Sequence, residues 1–290
     1  MTDTSAYGWS WFSDEIRKGV AFSERYCTDF LALVEDMASI AGAIFARPTS
    51  PFSDRPQDYV VSVLVARAFR LTVSSLYIGL GGYPDSGTNL ERTVWEISIR
   101  LLDMTTAPAA AALGFLLDGT TSEIAQVAAE LEHRQVNGEP VHLLPTNRER
   151  LQAHYDALAR FARDQGLDPE HIHRKHGRLN IREVCKSFNI EKAYLVDYAL
   201  TTAYVHEKNS ASSDYVIERK GERHFLLGPI GTPGGPMTIA IDVLMDMARV
   251  LTIATRIVQQ ENITKRADEV LQKLVSLREV HSSRPRWPTV

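Results

Sequence analysis

The stretch Glu91-Arg-Thr-Val-Trp-Glu-Ile-Ser-Ile-Arg-Leu-Leu-Asp103 shows most clearly how this chain folds. Its apolar and its charged residues each recur every three or four positions, which is the period of an α-helix. Trp95, Ile99 and Leu102 therefore share neighbouring positions on one apolar face, which predicts a helix packed against a core. Similar patterns fill most of the chain, so the sequence predicts an all-α helical bundle.

Further helices lie on both sides of this stretch, separated by prolines and glycines. The pattern predicts helices over residues 13–45, 54–80, 86–104, 108–117, 120–135, 146–165, 181–188, 190–206 and 236–279. Asp118-Gly119 is expected to stop one helix, and Thr120 and Thr146 are each expected to open a capping box for the next. The polar, histidine-rich stretch 168–178 is expected to be a loop, and the last helix to break near Asn262.

The segment 214–235 differs from the helices. Alternating residues on either side of Lys220-Gly221 predict a small β-hairpin insertion, and the glycines and prolines that follow predict a linker. We therefore expect a single domain over residues 1–290. Its expected parts are an N-terminal helix at 13–46, a core at 54–213, the hairpin and linker at 214–235, a long helix at 236–281 and a tail at 282–290.

The composition excludes several classes of protein. Of 290 residues, 44% are hydrophobic and 23% are charged, which excludes a disordered, collagen-like or disulfide-stapled chain. The net charge of −4 provides no overall positive field for nucleic acid, although Arg174–Arg178 is a local basic patch. Cys27 and Cys185 indicate a reducing compartment with buried or idle thiols. Because the sequence shows neither a signal peptide nor an apolar run of ~18 residues, we expect a cytoplasmic protein without a membrane span.

The charged residues of the opening stretch form the first candidate site. Arg92, Glu96, Arg100 and Asp103 recur at three- or four-residue spacing and share one helical face. One interpretation is a buried polar network that lines a cleft. The other is a ladder of solvated ion pairs, each worth under ~1 kcal/mol. Periodicity alone favours the ladder.

Two arginines stand among apolar residues on the predicted second helix. A charged side chain in such a helix has to reach solvent or find an ionic partner. Glu91 and Glu96 are candidate partners for Arg67 and Arg70.

Several histidines raise the question of a metal site. His171, His173 and His176 alternate with Arg174 and Lys175, and the cysteine or carboxylate partners of a zinc site are missing from this cluster. The cations would also repel a metal ion. This cluster therefore does not predict a zinc site.

Di-iron helical bundles use paired Glu-x-x-His motifs, which this chain matches only formally. The matches are Glu130–His133 and Glu170–His173, and the second lies beside Pro169 in the expected loop. We therefore expect neither a metal nor a cofactor.

Three motifs carry a resemblance to a known family. They are Ala66-Arg67-Ala-Phe-Arg70 through Gly82, then Asn89-Leu-Glu-Arg92-Thr-Val-Trp95-Glu96, then Tyr198 through Tyr204-Val-His206. Over residues 59–213 the chain resembles a bacterial helical family, domain of unknown function 5677. The resemblance implies that Arg92, Glu96, Tyr198 and His206 meet inside the bundle, but it supplies no activity.

The family is similar in general appearance to HEPN-like bundles of prokaryotic defence and toxin–antitoxin systems. HEPN-type ribonucleases carry an arginine and a histidine near a helix end, with four to six residues between them. Arg219 and His224 match that spacing but fall in the predicted hairpin. Ahead of His206, Ala199-Leu-Thr201 stands where the arginine would be expected.

Two functions remain as expectations. The first is an intracellular helical binding or regulatory protein, linked to bacterial stress or phage defence, with a second copy, another protein or a small molecule as its partner. The second is a metal-independent ribonuclease with His206 as general acid or base and Arg92 stabilising phosphate charge. Glu96 and Tyr198 complete this candidate catalytic cluster.

Overall fold

A computed structural model describes residues 28–46, 49–80, 84–195, 216–219, 222–225 and 234–282. These ranges are predominantly helical, so the predicted all-α class is confirmed. The helices are α1 (Thr28–Phe45), α2 (Pro56–Leu80), α3 (Pro84–Met104), α4 (Pro108–Val136), α5 (Leu144–Asp164), α6 (Pro169–Ile172), α7 (Ile181–Ser187), α8 (Glu191–Ala193), α9 (Gly234–Ile257) and α10 (Glu261–Ser282). A π-helical turn, His173–Gly177, follows α6 directly.

Two short strands lie within the segment in which alternation predicts a hairpin. They are β1 (Val216–Arg219) and β2 (Glu222–Phe225), and they pair antiparallel. In this register Ile217 lies opposite His224. Arg219 and His224, which match the ribonuclease spacing, therefore lie on paired strands and not at a helix end.

The main core is built around α9. This helix packs against α1, α2, α3 and α10, and it carries buried residues along the stretch from Ile239 to Ile257. Leu244, Met247 and Leu251 are its largest fully buried side chains. Burial of each such side chain stabilises the fold by ~1.5–3 kcal/mol, so this helix is a main source of stability.

Helix α1 lies within the helix predicted over 13–45, and its buried residues form one apolar face. Phe30, Met37, Ile40 and Ile44 are all buried in the main core. Residues 13–27 of the predicted helix lie outside the described ranges.

Helix α4 contradicts its prediction. It runs unbroken from Pro108 to Val136, so both the stop at Asp118-Gly119 and the new start at Thr120 are wrong. Leu117 and Thr120 are buried on either side of the expected break, and the Thr120 hydroxyl donates to the Leu116 carbonyl within the same helix. Packing of this face outweighs the ~1 kcal/mol by which glycine disfavours a helix.

Three other predicted boundaries differ from those in the structure. Helix α5 begins at Leu144, ahead of the capping box predicted at Thr146, and Pro145 occupies its first turn. The expected loop at 168–178 is instead α6 followed by the π-turn. At the start of α6, the Asp168 side chain accepts a hydrogen bond from the Glu170 amide. The break in the last long helix falls at residues 258–260, a few residues before its predicted position.

Helix α2 is apolar and long enough to cross a membrane by length and composition alone. In this structure Val60, Leu64 and Ala68 on one of its faces are buried against the main core. A core helix has the same composition, so this finding by itself is weak support for a membrane span.

Candidate functional site

Two of the four predicted site residues lie in the described part of the chain. Arg92 and Glu96 are one turn apart on α3 and form an ion pair, with 3.0 Å between Nε and Oε1. Their side chains are 16% and 34% exposed, so the pair is neither fully solvated nor sealed in the core. Tyr198 and His206 lie outside the described residues, and their meeting with this pair stays a prediction.

The polar face of α3 continues into a contact with the π-turn. Arg100 donates hydrogen bonds through Nη1 to the carbonyl oxygens of His176, at 2.6 Å, and Gly177, at 3.0 Å. His176 Nδ1 lies 3.1 Å from Oδ2 of Asp103, and the imidazole is buried. The arginine also lies over the ring of Phe115, 5.2 Å from its centroid. This half of the face is thus a polar joint between two elements and not a ladder of solvated pairs.

The buried environment changes the ionisation of Arg100. Desolvation lowers the pKa of its guanidinium, while the nearby carboxylates of Asp103 and Asp118 act in the opposite direction. An arginine remains charged at neutral pH even so, because its ordinary pKa lies so high. The joint therefore holds a buried positive charge that two aspartates and two backbone carbonyls stabilise.

A second histidine–aspartate pair lies beside the first. His173 Nε2 is 3.3 Å from Oδ1 of Asp118, and Arg178 Nε is 3.8 Å from the same oxygen. His173 and Asp118 are only partly buried, and the Arg178 side chain is 92% exposed. In contrast to the buried pair, this group reaches the surface.

Two glycines allow the π-turn to lie directly against α4. A Cβ on Gly114 would lie 2.6 Å from the carbonyl oxygen of Ile172, and a Cβ on Gly177 would lie 2.9 Å from Cβ of Asp118 on α4. Both distances are too short for any other residue unless the backbone shifts. π-Helical segments are rare and are often found at functional sites, so this turn is a candidate for one.

Neither histidine–aspartate pair is predicted from the sequence, because the polar composition of 168–178 predicts a loop. The three-residue spacing of His173 and His176 was the available signal for a helical turn, but the polar composition around them obscured it. Across the described ranges, no group of three histidine, cysteine, aspartate or glutamate side chains is arranged to hold a metal ion. Of the two formal di-iron motifs, Glu130 pairs with Arg134, and His173 pairs with an aspartate.

The outer face of α2 is a second candidate site. Val63, Arg67, Arg70, Val73 and Tyr77 are exposed and recur every three or four residues, so they form one stripe, which we call the α2 face. Tyr77 is 83% exposed, and the two valines are 43% exposed each. The stripe combines apolar and cationic side chains at the surface.

The two arginines of the α2 face do not have the partners that the sequence offered. Glu96 is paired with Arg92, and within the described part of the chain the structure records no ion pair for Arg67 or Arg70. Both side chains instead reach solvent, which was the other expected outcome.

Cys185 lies in a small apolar cluster between α3 and α7. It packs with Trp95, Ile99 and Val184, and it is a buried, free thiol, as the sequence predicts. Burial raises the pKa of this thiol above its ordinary value. The cysteine is therefore a packing residue with little thiolate character near neutral pH.

An open depression of about 980 Å³ lies between α9 and α10. Its lining is mostly charged and polar, and includes Arg256, Gln260, Asp268 and Lys273. Its described lining includes neither Arg92 nor Glu96 and neither histidine–aspartate pair.

Comparison with known proteins places the chain in a family. A family model described as a family of unknown function (DUF5677) matches residues 58–224, which is more than half of the chain. The matched span contains the α2 face, the Arg92–Glu96 pair and the π-turn. No curated protein and no solved structure matches. The chain therefore belongs to the family of unknown function DUF5677.

Proposed function

We propose that this protein is a helical binding module that docks an acidic amphipathic helix of a partner protein on the α2 face. The observation that carries this proposal is the pair Arg67 and Arg70, which are exposed and form no ion pair with any described residue. They lie between the exposed side chains Val63, Val73 and Tyr77. Tyrosine and arginine are enriched among the residues that dominate binding energy at protein interfaces.

The geometry of the face fits a helical partner. Apolar anchors on successive turns of one helix are the pattern by which amphipathic helices recognise each other. The opposite face of α2 is held in the main core by residues such as Val60, Leu64 and Ala68. The α2 face is thus presented on a fixed element, which reduces the entropy lost on binding.

The charge of the face specifies an acidic partner. The α2 face contains two cations and no acidic residue, so a partner without carboxylates would leave Arg67 and Arg70 desolvated and unpaired. A second copy of the chain, docked face to face, would bring four arginines together. The expected homodimer would therefore have to use another surface.

The cellular setting is part of the same proposal. We place the protein in the cytoplasm of a bacterium, in a stress or phage-defence system, on the strength of the family resemblance and the free thiol of Cys185. We also propose one domain over residues 1–290 with the segment 214–235 inserted as a hairpin. The packing of α9, which follows the family span, against α2 and α3, and of α10 against α9, supports this.

Photo-crosslinking in cells tests the docking site. A benzophenone amino acid is placed at Tyr77 and, as a matched control, at Val136, which is 80% exposed on α4. We expect one partner protein to crosslink at position 77 through an acidic amphipathic helix, and to be lost in Arg67→Glu/Arg70→Glu. The proposal would be contradicted by a crosslink to a second copy or to lipid. It would also be contradicted by the same product at position 136, or by no product at all.

A metal-independent ribonuclease is a second candidate function. The Arg92–Glu96 pair favours it, because an oriented, partly exposed arginine can stabilise the charge that develops on a phosphate. In this proposal His206 acts as general acid or base and Tyr198 completes the cluster. Purified wild type and His206→Ala are incubated with total RNA, with and without chelator. Chelator-resistant cleavage that the variant lacks supports the ribonuclease, and intact RNA in every lane rejects it.

A further inference from the structure

We infer that the surface of the π-turn binds the phosphate backbone of single-stranded RNA. This surface, which we call the turn surface, consists of His171, Arg174, Lys175, Arg178 and Arg182, all exposed. RNA binding at the turn surface does not depend on partner docking at the α2 face. It also does not depend on whether the protein cleaves the RNA.

The charge of the turn surface is available for a ligand. Arg174 and Lys175 are exposed, and no ion pair is recorded for either among the described residues. Arg178 and Arg182 each have one loose carboxylate contact, at 3.8 Å and 3.7 Å. Exposed pairs of this kind contribute at most ~1 kcal/mol, so phosphate can compete for both arginines.

Acidic residues nearby pair only part of this charge. Glu170 and Glu183 are the exposed carboxylates in the stretch 170–183, and Glu191 contacts Arg182. Asp118 faces the turn from α4, but it is already shared between His173 and Arg178. Arg174 and Lys175 are therefore the cations of the turn surface that no carboxylate pairs among the described residues, on a protein whose net charge is −4.

The turn is held rigidly from below. Two interactions hold it against α3: the Arg100 hydrogen bonds to two carbonyls and the His176–Asp103 pair. The close approach at Gly114 holds it against α4. The cations therefore project from a backbone that need not be ordered when a ligand binds, which favours affinity.

The histidines favour RNA over an acidic peptide. His171 is exposed, and His173 is partly exposed with its ring oriented by Asp118. Imidazole rings beside cations can stack on unpaired bases while the cations contact the backbone. A polyglutamate peptide offers carboxylates but no flat ring for such stacking.

Fluorescence anisotropy with a labelled uridine oligonucleotide tests the inference on the full chain. The variant Arg174→Gln/Lys175→Gln is compared with Arg148→Gln/Arg150→Gln, which removes the same charge from exposed positions in the first turns of α5. We expect the first variant to lose affinity about tenfold and to lower the slope of log K against log salt by ~1.4, for two lost backbone contacts. The control is expected to keep wild-type affinity and slope.

Three outcomes would overturn the inference. These are no RNA binding by wild type at low salt, equal losses in the two variants, and binding of a polyglutamate peptide as tight as that of RNA. Circular dichroism of each variant verifies that it is folded, which we expect because all four substituted side chains are exposed.

Discussion

Gly114 and Gly119 show that one residue type can have opposite roles within a single helix. Both lie in α4, and glycine disfavours a helix at either position. At Gly114 the missing side chain makes room for Ile172 and His176 of the neighbouring turn, whereas nothing lies within 4 Å of the corresponding point at Gly119. In the sequence only Gly119 gives a signal, which predicts a helix stop. Gly114 matters more to the structure, because the neighbouring turn packs where its side chain would be.

Alanine substitutions at these two glycines should have opposite effects on stability. Gly114→Ala places a Cβ 2.6 Å from a backbone oxygen, and we expect it to lower the free energy of unfolding by ~1–3 kcal/mol. Gly119→Ala should raise it by ~0.5–1 kcal/mol, because alanine favours the helix and meets no neighbour. Urea unfolding measures both. Equal effects would show that the turn does not pack on α4 in this way.

The buried thiol of Cys185 should react slowly. Because burial raises its pKa, the folded state keeps the thiol protonated at pH values where the unfolded chain already forms thiolate. The contribution of thiol protonation to the free energy of unfolding is constant below the pKa of Cys185 in the unfolded chain. It is lost as the pH rises through the pKa of Cys185 in the folded protein. In a Cys27→Ser background, modification by a disulfide reagent at pH 8 should be at least ~10-fold slower in buffer than in urea. Equal rates would contradict its burial.

At the scale of elements, the sequence predicts best where one apolar face continues for many turns. The bounds of α2 and α3 agree with prediction to within about two residues, which is the usual precision of helix ends. The predictions fail where a local signal competes with packing between distant elements. The capping box at Thr120 and the polar stretch 168–178 are such cases, since no local pattern reports the contact of the π-turn with α3 and α4.

For the candidate site, the sequence predicts which residues share a helix but not which distant residues they contact. Spacing alone placed Arg92, Glu96, Arg100 and Asp103 on one face, and the structure confirms that they share α3. Spacing could not show that Asp103 would meet His176, 73 residues later in the chain. Pairings of this kind depend on the packing of whole elements.

Removal of the Arg100 hydrogen bonds should release the π-turn. Arg100→Met keeps much of the apolar stem but leaves two carbonyls and Asp103 without their cation, so we expect a loss of ~1–3 kcal/mol in unfolding free energy. Faster amide hydrogen exchange should be confined to the residues around His173–Gly177. The control Arg92→Met breaks the half-buried pair with Glu96, away from the π-turn, and should leave that exchange unchanged. An unchanged rate in Arg100→Met would contradict the joint.

At the scale of the whole molecule, the family span is not a complete core. Residues of α1, α9 and α10 lie outside 58–224, yet they share the main core with α2 and α3. Leu244, Met247 and Leu251 fill its centre from α9. The helices inside the span therefore depend on helices outside it.

A chain that ends at residue 233 should consequently fail to fold. It lacks α9 and α10, and the exposed apolar residues of α2 and α3 should make it aggregate or remain unfolded. A chain that ends at residue 282 is the control and should unfold like the full protein. A cooperative unfolding transition in the shorter chain, measured by circular dichroism, would show that the family span folds without α9.

The central claim is that Arg67 and Arg70 recognise carboxylates on a partner helix. The most direct test is a charge exchange, in which the helix crosslinked at Tyr77 is made as a peptide with its facing glutamates changed to arginine. We predict that Arg67→Glu/Arg70→Glu weakens binding of the natural peptide at least ~10-fold, which is ~1.4 kcal/mol, and that the exchanged peptide recovers most of this loss. Failure of the exchanged peptide to recover binding, or undiminished binding of the natural one, would contradict the account.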